Sequence, residues 1–305
     1  MSELSDALLT TLRELTGEPA LVYDRTPEPL AGGYSAELLR FSIIGGPEIM
    51  RGELVARILV DDGGAACECA IQTAVERAGF PAPRIRFAAN SSSPLGRPVI
   101  VMDHVEGKTP LATAGVVGLP RLFRELPSLL AGLMADLHAV APPALEVPWL
   151  DVDAMLAVVQ HATAGAWLSA RRLAFATDVI CHGDLHGENV LVAGGTVVAV
   201  VDWELASIGP PELDVARTAL LLGLLPGVSG FARKVLGRSA AKTERAFVDA
   251  YAARRPLDRD ALRWCDALHC ARLLAVAQRT GPVAEVWRPL APALTSRLVR
   301  VTAGE

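Results

Sequence analysis

The chain has 305 residues, 51% of them hydrophobic, with a formal net charge of −5 and an isoelectric point near 5.7. That length and apolar content fit two domains or one two-lobed unit with ample core, and exclude a disordered chain. An acidic balance without a dense Lys/Arg run gives no electrostatic reason for a nucleic-acid partner.

M-S-E-L-S-D-A-L-L-T-T-L at the start reads as an amphipathic, acidic helix, where a secretory signal would be basic and continuously apolar. Residues 28–30 and 38–44 read as the strands of a hairpin that turns through A-G-G-Y-S-A-E. G-G-P-E at 45–48 separates them from a third strand, E-L-V-A-R-I-L at 53–59. A helix follows from Ala66 to Gly79, stopped by that glycine and Pro81. S-S-S-P-L-G at 91–96 is an exposed hairpin loop, and P-V-I-V-M-D-H-V-E-G at 98–107 is a buried strand that breaks into a polar turn.

From Leu122 the apolar residues recur at helical spacing as far as His138, which reads as a core or capping histidine. Segments 151–177, 211–225, 240–254, 258–279 and 282–303 also read as helices, so the C-terminal part is mainly α. The most apolar run, 219–225, is too short to span a membrane and is closed by Pro226. The five cysteines, at 67, 69, 181, 265 and 270, are an odd number and fit reduced thiols. Cys67 and Cys69 lack the spacing of a zinc knuckle. These readings predict a soluble, cytoplasmic protein without a membrane partner or zinc.

The chemistry concentrates in V-I-C-H-G-D-L-H-G-E-N-V-L at 179–191 and V-A-V-V-D-W-E at 198–204. An apolar strand leads into a polar loop holding His182, Asp184 and Asn189, and a second apolar strand ends on Asp202. Phosphoryl transfer from a nucleotide needs such a set, because a highly charged group must be neutralised while an alcohol attacks in line. In the H-x-D-x-x-x-x-N pattern the Asp accepts the hydroxyl proton, the Asn binds a metal ion and a downstream Asp bridges Mg²⁺ to the phosphates. Asp184 takes the catalytic role on this reading, with Asn189 and Asp202 as metal ligands. Taken singly, these residues equally suit turns and strand ends.

H-G-D-L-H-G-E-N at 182–189, followed by D-W-E at 202–204 and G-P-P-E-L-D-V-A at 209–216, resembles the aminoglycoside phosphotransferase and choline kinase superfamily. The resemblance implies an α+β, bilobal protein-kinase-like fold: a small N-terminal lobe with an antiparallel sheet plus a helix, and a large, mainly helical C-terminal lobe. It implies a nucleotide-binding lobe over 1–103 and a catalytic and acceptor-binding lobe over 104–305. It further implies ATP, with GTP as an alternative donor, Mg²⁺, and a small-molecule hydroxyl substrate. Asp214 becomes a structural carboxylate that braces the catalytic loop.

The same resemblance assigns nucleotide contacts outside the motif. Gly32 and Gly33 stand where the superfamily carries its phosphate-covering loop, although a plain hairpin uses Gly-Gly equally well. Arg57 stands where kinases place a phosphate-binding Lys; its permanent charge and planar fork suit phosphate oxygens with a changed geometry. Glu68 is its expected helix partner. At the hinge, the Asp103 carbonyl and the Val105 amide are the expected adenine contacts.

The acceptor must be read separately from the fold. No acidic residue lies between Asp153 and Asp178, and the chain from Tyr251 onward carries nine Arg against five acids. A polycationic aminoglycoside is therefore disfavoured, and a neutral or anionic alcohol fits better. The five Trp read as core more readily than as a choline cage. The rival readings are a true aminoglycoside or choline-type kinase, and a nucleotide-binding pseudokinase regulator; the latter would normally have lost Asp184, Asn189 or Asp202. An ordinary protein kinase is disfavoured by H-G-D and by the seven residues between Glu204 and Glu212, which leave no activation loop.

Overall fold

The computed structural model describes residues 3–30, 36–60, 62–143, 152–171, 178–226 and 230–303. In chain order the elements are α1 (Glu3–Thr16), β1 (Val22–Pro29), β2 (Ala36–Ile44), β3 (Glu53–Leu59), α2 (Ala65–Arg77), β4 (Ile85–Ala89), β5 (Val99–Asp103), α3 (Pro110–Leu137), α4 (Val152–Ala157), α5 (Ala162–Ala170) and β6 (Val179–Cys181). There follow β7 (Val190–Ala193), β8 (Thr196–Val200), β9 (Ser207–Gly209), α6 (Pro211–Leu224), α7 (Gly230–Ala252), α8 (Arg259–Ala277), α9 (Pro282–Trp287) and α10 (Ala291–Ala303). The chain divides into two compact units, one of residues 1–107 with 191–204 and one of 108–190 with 205–305.

The first unit is built on an antiparallel sheet of order β1-β2-β3-β5-β4. Side chains alternate across a strand. Leu54, Ala56 and Ile58 of β3 therefore share one face, where they join Leu8 and Leu12 of α1 and Phe41 of β2 in an apolar core. The same alternation turns Arg57 to the opposite face. The first strand begins at Val22, earlier than the 28–30 expected, because Val22 and Tyr23 find partners in Ile44 and Ile43.

β7 and β8 form a hairpin closed by Gly194 and Gly195, both at positive φ (58° and 84°), as a two-residue turn between twisted strands requires. This segment is fastened to the first unit. The Val200 N–H donates to the Pro81 carbonyl at 2.6 Å, and Gly107 lies so near Leu191 that a Cβ would approach its side chain to 2.9 Å.

Helices dominate the second unit, around a core that includes Leu220, Trp264, Leu268, Trp287 and Leu294. α6 is buried along almost its whole length, including the polar Glu212, Asp214, Arg217 and Thr218. A helix enclosed on all sides can carry such groups only if each is partnered. α3 starts at Pro110, twelve residues before the helical pattern becomes legible; Thr109 caps it, and Gly115 (φ 58°) breaks its early path. The expected helix 151–177 is two short ones, because His161 accepts from the Ala164 N–H at 3.2 Å and starts α5 afresh. Trp203 is buried in the first unit, and Trp264 and Trp287 are core residues of the second, as the reading of these tryptophans as core expects.

Candidate active site

The loop after β6 is held from below by α6. Asp214 Oδ2 accepts from the His182 N–H and Oδ1 from the Gly183 N–H, both at 2.8 Å, while His138 Nε2 lies 3.2 Å from Oδ2. Burial alone would push the Asp214 carboxyl up, but His138 and His182 outweigh it and hold it below the ordinary carboxylate range. Gly183 has φ 81°, and a Cβ there would collide with the Leu205 carbonyl, so the H-G-D turn admits glycine alone. One turn further along α6, the Thr218 hydroxyl donates to the Leu185 carbonyl at 2.7 Å. His138, read from sequence as structural, also places Nδ1 2.7 Å from the Tyr251 hydroxyl.

Asp184 is thus presented by a fixed backbone. Its Oδ1 accepts twice from Arg217, from Nε at 3.0 Å and Nη2 at 2.8 Å, and Oδ2 lies 3.5 Å from His186 Nε2. Burial works against its ionisation, yet His186 and Arg217 prevail and hold the carboxyl far below the usual carboxylate range. The Asn189 amide donates to the Asp184 carbonyl at 3.0 Å. That bond occupies the amide nitrogen, and the side-chain oxygen is of the type a hard cation takes.

In the first unit, Arg57 is the centre of a cluster of three carboxylates. Its Nε lies 3.0 Å from Glu68 Oε1, Nη1 3.1 Å from Asp202 Oδ1, and Nη2 2.6 Å from Glu204 Oε2. Trp203 makes this possible. Its ring is buried edge-on to Phe80, with Nε1 donating to the Val200 carbonyl at 3.0 Å, so the flanking Asp202 and Glu204 share the side facing Arg57. Asp202 adopts a left-handed backbone, φ 66°, which costs a non-glycine residue energy and is concentrated at functional positions.

Glu68 is pushed up to about 7 by burial, against the pull of Arg57 and with the help of the neighbouring Asp202 and Glu204 charges. A carboxyl whose folded pKa lies above its ordinary 4.5 contributes stability below that value and loses it as pH rises through about 7. Glu68→Gln is therefore expected to flatten the dependence of unfolding free energy on pH between these limits. Urea titrations across that window check this; an unchanged slope would remove Glu68 as its source.

The end of β5 carries one further arrangement. Asp103 donates its N–H to the Arg84 carbonyl at 3.0 Å, and its carboxylate takes Arg86 at 2.6 and 2.8 Å. Among the described residues the Val105 amide has no hydrogen-bond partner. Gly32 and Gly33 lie outside the described residues.

Arg217 and Glu204 were not assigned from sequence. Each had a local signal: Arg217 follows Asp214 by one helical turn, and Glu204 follows Asp202 by two residues, the spacing that returns an extended chain to the same side. No helix among the described residues is long and apolar enough to cross a membrane.

Residues 28–257 match the family model of the phosphotransferase enzyme family. Acyl-CoA dehydrogenase family member 11 of Pongo abelii is 25% identical over 179 residues, which is 50% of this chain and 22% of that protein. A Ralstonia eutropha JMP134 protein named for the aminoglycoside phosphotransferases shares the fold with a TM-score of 0.68, at 16% identity over 98% of both chains. So does the amicoumacin kinase hAmiN in complex with AMP-PNP, Ca²⁺ and Ami, with a TM-score of 0.58 at 12% identity over 91% of this chain and 88% of that one. The antiparallel sheet, the helical second unit and the H-G-D loop braced by Asp214 thus have one explanation: the chain belongs to the phosphotransferase enzyme family, with its kinase-like α+β fold.

Proposed function

We propose that the protein transfers the terminal phosphoryl group of ATP, with Mg²⁺, to a hydroxyl of a small molecule that is not a polycation. The carrying observation is Asp184, kept ionised by Arg217 and His186 on a loop that Asp214 makes rigid. An ionised, oriented carboxylate accepts a hydrogen bond from the acceptor hydroxyl and takes its proton as the new P–O bond forms. Its low pKa fits a late proton transfer, after the attacking oxygen has become acidic.

The other roles belong to the same proposal. Arg57 serves the nucleotide phosphates, Glu68 fixes Arg57, and the Asp103 carbonyl and Val105 amide receive the adenine, with Gly32 and Gly33 over the phosphates. Asn189 and Asp202 are oxygen donors of the kind Mg²⁺ takes, and each has its side chain or backbone constrained. When bound, Mg²⁺ neutralises phosphate charge. Residues 1–103 act as the nucleotide lobe, 104–305 as the catalytic and acceptor lobe, in the cytoplasm, with no nucleic-acid or membrane partner.

The acceptor part rests on the absence of acids over 154–177 and the basic balance beyond Tyr251. Several ammonium groups lose their water shell on binding, and only clustered carboxylates offset that loss. A coupled ADP-release assay comparing kanamycin-type amines with neutral and anionic alcohols tests this. Turnover of the alcohols is expected, and its loss together with Mg·ATP binding in Asp202→Ala. Efficient turnover of the amines alone would restore the aminoglycoside reading, and Mg·ATP binding without any turnover the pseudokinase one.

A further inference from the structure

Arg217 is less fully partnered than the other arginines withdrawn from solvent in ion pairs. Arg57 meets three carboxylates, and Arg297 is gripped by Glu244 at 2.6 Å and Asp266 at 2.8 Å. Arg217 is also buried, at 9% exposure, yet spends both Nε and Nη2 on a single oxygen, Asp184 Oδ1, at 3.0 and 2.8 Å. Among the described residues its Nη1 has no hydrogen-bond partner, and that atom is not sealed from solvent.

The guanidinium is fixed on two sides. Asp184 takes the Nε side of the planar fork, and the Trp287 ring packs against it with Cζ 5.2 Å from the ring centroid. A ring stacked this way consumes no N–H, so the Nη1 end of the fork is what remains. The stem leaves α6 between Asp214 and Thr218, both of which are bonded to the catalytic loop. An unmet donor on a buried guanidinium is costly, and an oxygen that reaches it gains a charge-assisted hydrogen bond. A hydroxyl on the Asp184 carboxylate and a second oxygen on Nη1 would stand roughly 3–7 Å apart, with hydrogen bonds of about 2.7–3.0 Å.

We infer that Arg217 binds an oxygen of the phosphoryl acceptor, so that the substrate is a hydroxyl compound with a carbonyl or carboxylate oxygen about two to four carbons from the hydroxyl. This rests on the phosphotransferase reading of Asp184 and names the acceptor class for it. Arg217 acts as a specificity residue as well as an anchor: one edge of its guanidinium holds Asp184, and the other holds the acceptor oxygen beside the reacting hydroxyl.

The test uses the full chain with Mg·ATP and three matched series: short hydroxy carboxylates, their methyl esters, and plain alkanols of the same length. One oxygen-bearing series is expected to exceed the alkanols in kcat/KM by on the order of 10²-fold, and the better of the two tells carboxylate from carbonyl. Loosening the Asp184 anchor lowers turnover of every alcohol alike, whereas only a contact with the acceptor changes the ratio between them. That ratio should fall in Arg217→Lys and approach one in Arg217→Gln. Where a variant turns over too slowly, calorimetric affinities for the same alcohols give the ratio. Alkanols used as well as the oxygen-bearing alcohols by the unaltered chain, or a ratio that neither variant moves, overturns the inference alone. So does a chain that binds Mg·ATP and uses no member of the panel. A chain that fails to bind Mg·ATP overturns the phosphotransferase reading, and the inference falls with it. Should neither variant fold, the ratio in the unaltered chain decides, a value near one overturning the inference and one on the order of 10² upholding it.

Discussion

Asp184→Asn is expected to lower kcat by on the order of 10²–10⁴-fold, the range for losing a positioned general base, with nucleotide affinity retained. The substitution is nearly isosteric. Asn offers its amide oxygen to Arg217, which now meets Asp184 Oδ1 through Nε and Nη2, so the loop keeps its anchor while the charge and the proton acceptor are gone. Single-turnover kinetics beside nucleotide calorimetry separates the two effects. Near-native turnover would remove Asp184 from the proposed chemistry. Because Arg217 and His186 hold Asp184 so low, an acidic limb of the pH–rate profile near neutrality would have to come from another group.

The second large effect falls on stability. Arg57 is 4% exposed and Glu68 2%, and three carboxylates meet three different nitrogens of the one guanidinium. Arg57→Ala leaves Glu68 buried and unpaired beside two other acids, a loss of about 3–5 kcal/mol for a fully buried pair. Arg57→Lys should recover only part of it, because a single ammonium cannot satisfy the divergent positions of Glu68, Asp202 and Glu204 as a planar fork does. Denaturant unfolding of the three proteins gives the comparison. Equal midpoints for the parent and the Ala variant would show that the cluster contributes nothing net.

Strand alternation and helical spacing are local properties, so the sequence alone determined much of the frame. The alternation of Leu54, Ala56 and Ile58 already turned Arg57 to the other face of β3, and the helix carrying Glu68 was legible from its apolar spacing and its stop at Gly79. The loop from His182 to Asn189, with Asp202 behind it, was legible for a related reason. Its residue types are unusual enough in that order to identify phosphoryl-transfer chemistry and the family together.

Only the tertiary structure decided which charges meet. Glu204 reaches Arg57 across 147 positions of sequence and Arg217 reaches Asp184 across 33, and neither pairing has a periodicity that would announce it. The breaks in the helical pattern at Gly115 and His161 were hidden likewise, since apolar spacing is unaffected by a cap or a positive φ between two helices. Arg297 shows the difference most plainly. In the sequence it is one of nine arginines beyond Tyr251, and its ion pairs with Glu244 at 2.6 Å and Asp266 at 2.8 Å exist only once α7, α8 and α10 are packed together, because Coulomb interactions depend on distance and burial, which residue order does not contain.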